Sequence, residues 1–198
     1  MTEKTPPQKI VTPGADALAV AAGAAVRRGP PPLHLWNPPF CGDIDMEIAR
    51  DGTWFYQGSP IGRAPMVRLF ASILKREGER FFLVTPVEKV GIRVADAPFV
   101  AVDAEATGAG AGQSLTFTTN VGDTVTAGPD HPIRVARGPE GAPAPYVMVR
   151  AGLEARIDRK TFYRLVDIAT SARHEGADWL GLWSGGAFFA LCPMADLA

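Results

Sequence analysis

The chain has 198 residues, 46% of them hydrophobic and 21% charged, which is ordinary for a globular protein and enough for a substantial core. Its 20 basic and 21 acidic side chains give a formal net charge of -1, so it lacks the basic excess typical of proteins that bind polymeric nucleic acid. The two cysteines, Cys41 and Cys192, are too few for a disulfide framework, and no charged-then-apolar leader begins the chain. We therefore expect a cytoplasmic protein with reduced thiols and no membrane insertion.

The first 32 residues are rich in proline and alanine and poor in bulky apolar side chains. Such a segment buries too little surface to offset the entropy of ordering, which predicts a flexible tail over residues 1–32. A partner-binding helix over residues 16–28 is the alternative.

The folded part begins near Leu33. Residues 44–50 and 54–56 read as two strands around an Asp51-Gly52 turn. Met66, Leu69, Phe70, Ile73 and Leu74 then recur at helical spacing, which predicts a helix over residues 61–76 that ends at the cations Lys75 and Arg76 and at Gly78.

Beyond this helix the apolar period changes to two, which indicates a run of strands. Those strands are predicted at residues 81–85, 87–94, 99–104, 115–119, 124–126, 132–135 and 146–150. A second helix is predicted over residues 157–173 with Asp158 as its N-cap, followed by a loop at 179–186 and a last strand at 187–191.

The two predicted helices resemble each other in sequence. Setting Ile61 against Ile157 aligns Arg63 with Arg159, and Glu-Gly follows each helix. We interpret the chain as an α+β protein with an internal duplication of a β–α–β unit, mostly antiparallel sheets and one main helix per copy. The expected domains are residues 33–138, which include extra strands, and residues 139–198.

The basic side chains carry the main functional hypothesis. Arg63 and Arg159 occupy matching positions, and we expect Lys89, Arg134 and Arg156 to lie nearby. Guanidinium groups suit phosphate or carboxylate, so the pattern predicts a small anionic ligand, nucleotides among the candidates, held between the two repeats. Trp54 and Tyr56 are candidate stacking residues, and Ser59 lies in a glycine-flanked turn. Alternatively, the arginines pair with Glu88, Asp96, Asp130 or Glu154 and lock the interface between the two repeats.

Two other functions stay open. Asp43 and Asp45, or His131, could serve a metal-dependent hydrolase or transferase. The tail and the 179–186 loop could instead serve a protein-interaction adaptor. No short His or Cys ligand pair is present, so we predict no metal site, no cofactor and no catalytic residue.

Six segments form a recognisable pattern: residues 35–45, 51–63 (Asp-Gly-Thr-Trp-Phe-Tyr-Gln-Gly-Ser-Pro-Ile-Gly-Arg), 66–70, 83–90, 96–99 and 131–135. Together they resemble the bacterial family DUF1285. The resemblance runs from about residue 33 to residue 193. It implies a duplicated α+β architecture and a role in ligand binding or signalling, and it supplies no catalytic residues.

Overall fold

A computed structural model describes residues 14–26, 31–138 and 141–197. These residues form two compact units. The first comprises the described residues up to Glu47 together with Trp54–Arg93, and the second comprises Ile48–Thr53 and the described residues from Val94 onward. The predicted domain boundary at residue 138 does not coincide with this division.

The first unit contains two helices and a six-stranded sheet of order β3-β2-β1-β6-β5-β4. The helices are α1 (Ala15–Val26) and α2 (Ala64–Ser72). The strands are β1 (Phe40–Ile48), β2 (Trp54–Tyr56), β3 (Ser59–Pro60), β4 (Leu74–Glu77), β5 (Arg80–Val84) and β6 (Lys89–Val94).

Strand β1 shows why this sheet forms. Its side chains alternate, with Ile44, Met46 and Ile48 buried and the intervening carboxylates directed outward, as expected for a strand with one buried face. The amide of Lys89 donates to the carbonyl of Pro39, and that of Ala95 donates to Ile48. Residue numbers rise together across this contact, so β1 and β6 run parallel at the centre of the sheet.

The second unit contains a six-stranded sheet of order β10-β11-β12-β7-β8-β9. Its strands are β7 (Phe99–Thr107), β8 (Ser114–Thr119), β9 (Thr124–Thr126), β10 (Ile133–Arg137), β11 (Pro143–Arg150) and β12 (Leu153–Ile157). Strands β7 and β12 pair in parallel, with Phe99 opposite Ala155 and Ala101 opposite Ile157. The remaining neighbours in this sheet are antiparallel.

The two sheets have the same strand order. Counting strands within each sheet, both read 3-2-1-6-5-4, with first and sixth strands paired at the centre. This order is consistent with duplication, and it does not confirm the predicted β–α–β unit as the element that repeats. Helix α2 follows the third strand of its sheet, whereas the helix aligned with it in sequence follows the sixth strand.

Both sequence-predicted helices are shorter than expected. Helix α2 ends at Ser72, and residues 74–77 form β4, which pairs with β5 through a turn at Gly78. Ile73 and Leu74 are both buried, so their apolar character suits a strand as well as the helical face that we assigned to them. Lys75, Arg76 and Gly78 therefore belong to a hairpin and not to a helix end.

The second main helix, α3, spans Arg159–Asp167. Its N-cap is the predicted one, because a carboxylate oxygen of Asp158 accepts a hydrogen bond from the Thr161 amide at 2.7 Å. The chain then forms a three-stranded sheet of β13 (Thr170–His174), β14 (Ala177–Ser184) and β15 (Ala187–Pro193). The predicted helical residues 170–173 are thus in β13, and most of the predicted 179–186 loop is in β14.

Helix α1 is packed where we expected a flexible tail. Ala15, Leu18 and Ala22 are buried, and the helix contacts α2 within the first unit. Residues 1–13 and 27–30 of the predicted tail lie outside the described residues. Among the described helices, none combines the length and apolar character needed to cross a membrane.

Candidate functional site

Three of the predicted ligand residues lie together in the first unit. Tyr56, Ser59 and Arg63, with Asp16 of α1, line a cleft of about 260 Å³, here called the polar cleft. The grouping is local in origin, because β2, the short strand β3 and the first turn of α2 follow one another within eleven residues. The polar cleft thus offers a phenol, a hydroxyl and a guanidinium to a ligand.

A larger cavity adjoins the polar cleft. It measures about 690 Å³, lies between α1 and α2, and is here called the apolar groove. Its apolar lining consists of Ala19, Val20, Ala64, Pro65, Met66 and Leu69. Asp16, Gly62, Arg63 and Met66 line both cavities.

The guanidinium of Arg63 is only weakly engaged within this unit. Its Nη2 lies 3.9 Å from a carboxylate oxygen of Asp16, and the two side chains are 76% and 95% exposed. The same nitrogen lies 3.4 Å from the sulfur of Met66. An exposed ion pair of this kind contributes at most about 1 kcal/mol, so an anionic ligand can replace Asp16 at little cost.

Two other predicted ligand residues of the first unit make contacts away from both cavities. Trp54 is 1% exposed, stacks on Phe70 at a centroid distance of 6.2 Å and belongs to the core. The Nζ atom of Lys89 lies 3.0 Å from Glu77 and 5.0 Å from the ring centroid of Phe82. Lys89, and then Lys75, lower the pKa of Glu77.

Arg134 and Arg156 belong to a charged network in the second unit. They lie in one cross-strand row, since Tyr146 on β11 is opposite Arg134 on β10 and opposite Arg156 on β12. Arg134 makes a two-pronged contact with Glu154 at 2.6 and 2.7 Å, and its guanidinium lies 4.2 Å from the ring centroid of Tyr146. Pairing with carboxylates is the alternative that we predicted for these arginines, here with both partners in the second unit. A role in an interface between the repeats stays a prediction.

Asp96 is the centre of this network. Its Oδ1 accepts a hydrogen bond from the Tyr146 hydroxyl at 2.7 Å, and its Oδ2 lies 3.2 Å from Arg50 and 3.6 Å from Arg156. The Oδ2 atom is buried and accepts no hydrogen bond from the described residues, so charge attraction holds it. Burial, followed by the bond to Asp96, raises the pKa of Tyr146, and Glu154 raises that of Arg134.

Arg159 begins α3 in the second unit and is exposed. Its Nε donates to the Tyr163 hydroxyl at 2.8 Å, and its guanidinium lies 5.4 Å from the ring centroid of that tyrosine. The pairing of Arg159 with Arg63 around one ligand therefore stays a prediction.

The candidate residues for metal-dependent chemistry have protein partners. Asp43 pairs with Arg80 at 2.6 Å, Asp45 pairs with Arg93 at 2.9 Å, and both carboxylates lie on the outer face of β1. The side chain of Asp43 lies over Gly91, where an added Cβ atom would come within 1.9 Å of its Oδ1. Asp45, and then Glu47, raise the pKa of Arg93.

The histidines and cysteines are dispersed. Nδ1 of His131 lies 3.1 Å from the carbonyl oxygen of Met148, while His174 contacts the rings of Trp179 and Phe188. Cys41 and Cys192 are both free thiols. Within residues 14–26, 31–138 and 141–197, no group of three His, Cys, Asp or Glu side chains is placed to hold a metal ion.

Sequence reasoning missed the contribution of α1 to both cavities. Asp16, Ala19 and Val20 form walls that we had assigned to the tail. A signal was present in the spacing of Leu18 and Ala22, which lie four residues apart on one face of an alanine-rich segment and are both buried. The small size of alanine made that apolar face hard to distinguish from composition bias.

Fold and site together define a duplicated, mostly β protein with two repeated six-stranded sheets and adjoining polar and apolar cavities in its first unit. The chain belongs to the DUF1285 family. The family model described as a domain of unknown function, N-terminal domain, matches residues 31–97, and that of the C-terminal domain matches residues 98–191. The family boundary thus falls between the two sheets, close to the division between the compact units.

A solved structure of a similar protein supports this assignment, and a second similar structure matches part of the chain. A DUF1285 family protein from Silicibacter pomeroyi DSS-3 is 63% identical, and the match covers 94% of this chain and 99% of that chain with a TM-score of 0.85. A DUF1285 family protein from Shewanella baltica OS155 is 30% identical over 62% of this chain and 90% of that chain, with a TM-score of 0.49. A search of curated proteins found no match.

Proposed function

We propose that this protein is a non-enzymatic module that binds a small anionic molecule and has a role in signalling. The observation that carries the proposal is the position of Arg63, whose exposed guanidinium stands at the polar cleft beside Tyr56 and Ser59. Lys89, Arg134 and Arg156 pair with carboxylates of their own unit, and Arg159 lines neither cavity. Arg63 is therefore the best candidate for the anion contact. A ligand located between the two repeats stays a prediction.

Helix α1 supports the signalling part of the proposal. It supplies walls to both cavities and is anchored mainly by one large side chain, Leu18, with the small side chains of Ala15 and Ala22. A ligand that contacts α1 changes the free energy of docking this helix, which gives occupancy a structural consequence that a partner can recognise.

The test compares two arginines of the same segment. Arg63→Gln removes the proposed anion contact, whereas Arg68→Gln removes an exposed charge of α2 that does not line either cavity. Loss of a charge-assisted hydrogen bond worth about 1.5–3 kcal/mol should weaken binding roughly ten- to hundredfold. Titration calorimetry with inorganic phosphate, AMP and ATP should therefore show weaker binding for Arg63→Gln and unchanged binding for Arg68→Gln.

Equal affinities in the two variants, or binding of none of these anions by the native chain and of no other phosphorylated metabolite in a thermal-shift screen, would contradict the proposal. A third variant, Arg159→Gln, examines the expected ligand position. Weakening by this variant as well would place the anion in contact with both units, and no change would confine the contact to the first unit.

A further inference from the structure

The two cavities of the first unit differ in chemistry but share Arg63. Of the two cavities, the polar cleft alone is lined by Tyr56 and Ser59, whereas the apolar groove is lined by Val20 of α1 and Leu69 of α2. A molecule that occupies both therefore has its charged group near Arg63 and continues over apolar side chains.

The apolar groove is large enough for a substantial ligand portion. Its volume of about 690 Å³ is within the range of roughly 300–1,000 Å³ that small-molecule sites usually have. Val20 is 75% exposed at its edge, so a ligand that covers this side chain removes apolar surface from water. The apolar character of the lining thus favours an apolar occupant.

The side chains of the groove also discriminate between classes of anion. Apart from Asp16 and Arg63, which both cavities share, the groove is lined by Gly62 and the apolar residues already named, and none of these has a polar side-chain atom other than the weak acceptor sulfur of Met66. A nucleobase placed there would find few side-chain hydrogen-bond partners for its polar edge, which costs binding free energy. A hydrocarbon portion needs no such partners.

We infer that the ligand is an amphipathic anion, with a phosphate or carboxylate head at Arg63 in the polar cleft and a hydrocarbon portion in the apolar groove. This inference rests on the proposed function and specifies the ligand class of the same site. Asp16 acts on the head group: as a neighbouring carboxylate it repels a doubly charged head more than a singly charged one.

The experiment measures how affinity depends on chain length. The native protein is titrated with inorganic phosphate and with butyl, hexyl, octyl and decyl phosphate, each below its critical micelle concentration. Full burial of one methylene group corresponds to about a fourfold gain in affinity, so affinity should rise roughly two- to fourfold per methylene until the groove is filled. Arg63→Gln should weaken every member of the series by a similar factor.

Val20→Ser tests the position of the chain. This substitution makes the groove edge polar at an exposed site, so it should reduce the gain per methylene while leaving the affinity for inorganic phosphate unchanged. Val87→Ser is the matched control, since Val87 is 68% exposed and does not line either cavity. It should leave the whole series unchanged.

The outcomes separate this inference from the proposed function. Binding that depends on Arg63 but not on chain length overturns the amphipathic ligand and leaves the anion site standing. A chain-length dependence that Val20→Ser does not alter places the hydrocarbon outside the groove and also overturns the inference. Binding indifferent to Arg63→Gln overturns both proposals.

Discussion

The charged side chains of this protein differ widely in how firmly they are held. Arg80 and Arg93 bind exposed carboxylates on the outer face of the first sheet, where ion pairs contribute little to stability. Asp96, whose side chain is 17% exposed, instead receives a tyrosine hydroxyl and two guanidinium groups, so removing one partner there would leave a largely buried charge under-compensated. Arg63 lies at the other extreme, since its ion pair is long and both partners are exposed.

Strand register determines which of these groups of side chains could be predicted from the sequence. Tyr56, Ser59 and Arg63 are close in sequence, so their proximity does not depend on how distant strands pair. The row from Arg134 through Tyr146 to Arg156 depends on how three strands pair, and a shift of one residue would direct the side chains to opposite faces. Sequence alone offered both ligand binding and carboxylate pairing for these arginines and could not choose between them.

A single glycine supports the aromatic face of the small three-stranded sheet. A Cβ atom added to Gly181 would lie 2.4 Å from Cζ of Phe188 and 2.6 Å from the Phe189 carbonyl oxygen. Gly181→Ala should displace the Phe188 ring, which packs 5.2 Å from Trp183 between ring centroids. Overpacking of this kind costs about 1–3 kcal/mol, and each kcal/mol lowers the melting temperature of a chain this size by about 2–4 °C.

Thermal unfolding followed by calorimetry measures this effect. Gly112→Ala is the matched control in the same unit, because a Cβ atom there would have no heavy atom within 4 Å and the backbone is not left-handed. Its melting temperature should stay close to that of the native chain. Equal stability of the two variants would show that the ring of Phe188 is free to move aside.

At the scale of elements, the alternation of apolar residues predicted strands well, whereas both main helices were predicted too long. Strand β9 was predicted with its exact bounds, and β8 to within one residue. The missed strands β12 and β13 lie beside the two-residue turns Ala151-Gly152 and Glu175-Gly176, where both residues have positive φ. Two consecutive residues with positive φ are typical of a tight hairpin. A residue followed by glycine between two short strand-like runs was therefore a signal for these hairpins that our prediction did not use.

The stability of α1 in its packed position against α2 can be measured directly. Twelve residues are too few for a stable isolated helix in water, so α1 depends on its contacts with α2. Leu18→Ala removes its largest buried side chain, a change that usually costs about 2–5 kcal/mol. Amide exchange across residues 15–24 should accelerate at least tenfold, while α3 in the other unit keeps its protection.

Val20→Ala is the control for this experiment, since it shortens an exposed side chain of the same helix. Its exchange should be no faster than that of the native chain, since alanine favours a helix more than valine does. Rapid exchange across α1 in the native protein itself would instead support the flexible tail that the sequence predicted.

At the scale of the whole molecule, the shared strand order is the strongest trace of duplication. Each sheet joins two three-stranded antiparallel halves through a parallel pair of its first and sixth strands. The sequence alignment of α2 with α3 suggested a different repeat, in which the first copy, residues 33–138, included extra strands. Helices of similar composition can occupy different places in a topology, because composition reports burial and not strand order.

Hydrogen exchange of the whole chain distinguishes these two repeats. Central strands have neighbours on both sides and exchange through the largest openings, whereas edge strands open locally. The topological repeat therefore predicts that the slowest amides of the second sheet lie in β7 and β12, at the parallel pair of Phe99–Ala101 with Ala155–Ile157, and that β1 and β6 are equally slow within the first. The edge strand β9 should exchange at least about a hundredfold faster than β7, a difference of roughly 2.7 kcal/mol in opening free energy.

Strand β10 is left out of the comparison because it also contacts β15. Native-state exchange followed residue by residue by NMR measures these rates. If β7 exchanges as fast as β9 while β11 and β12 stay protected, β7–β9 behave as an addition outside the repeated unit, and the equivalence of the two sheets is wrong.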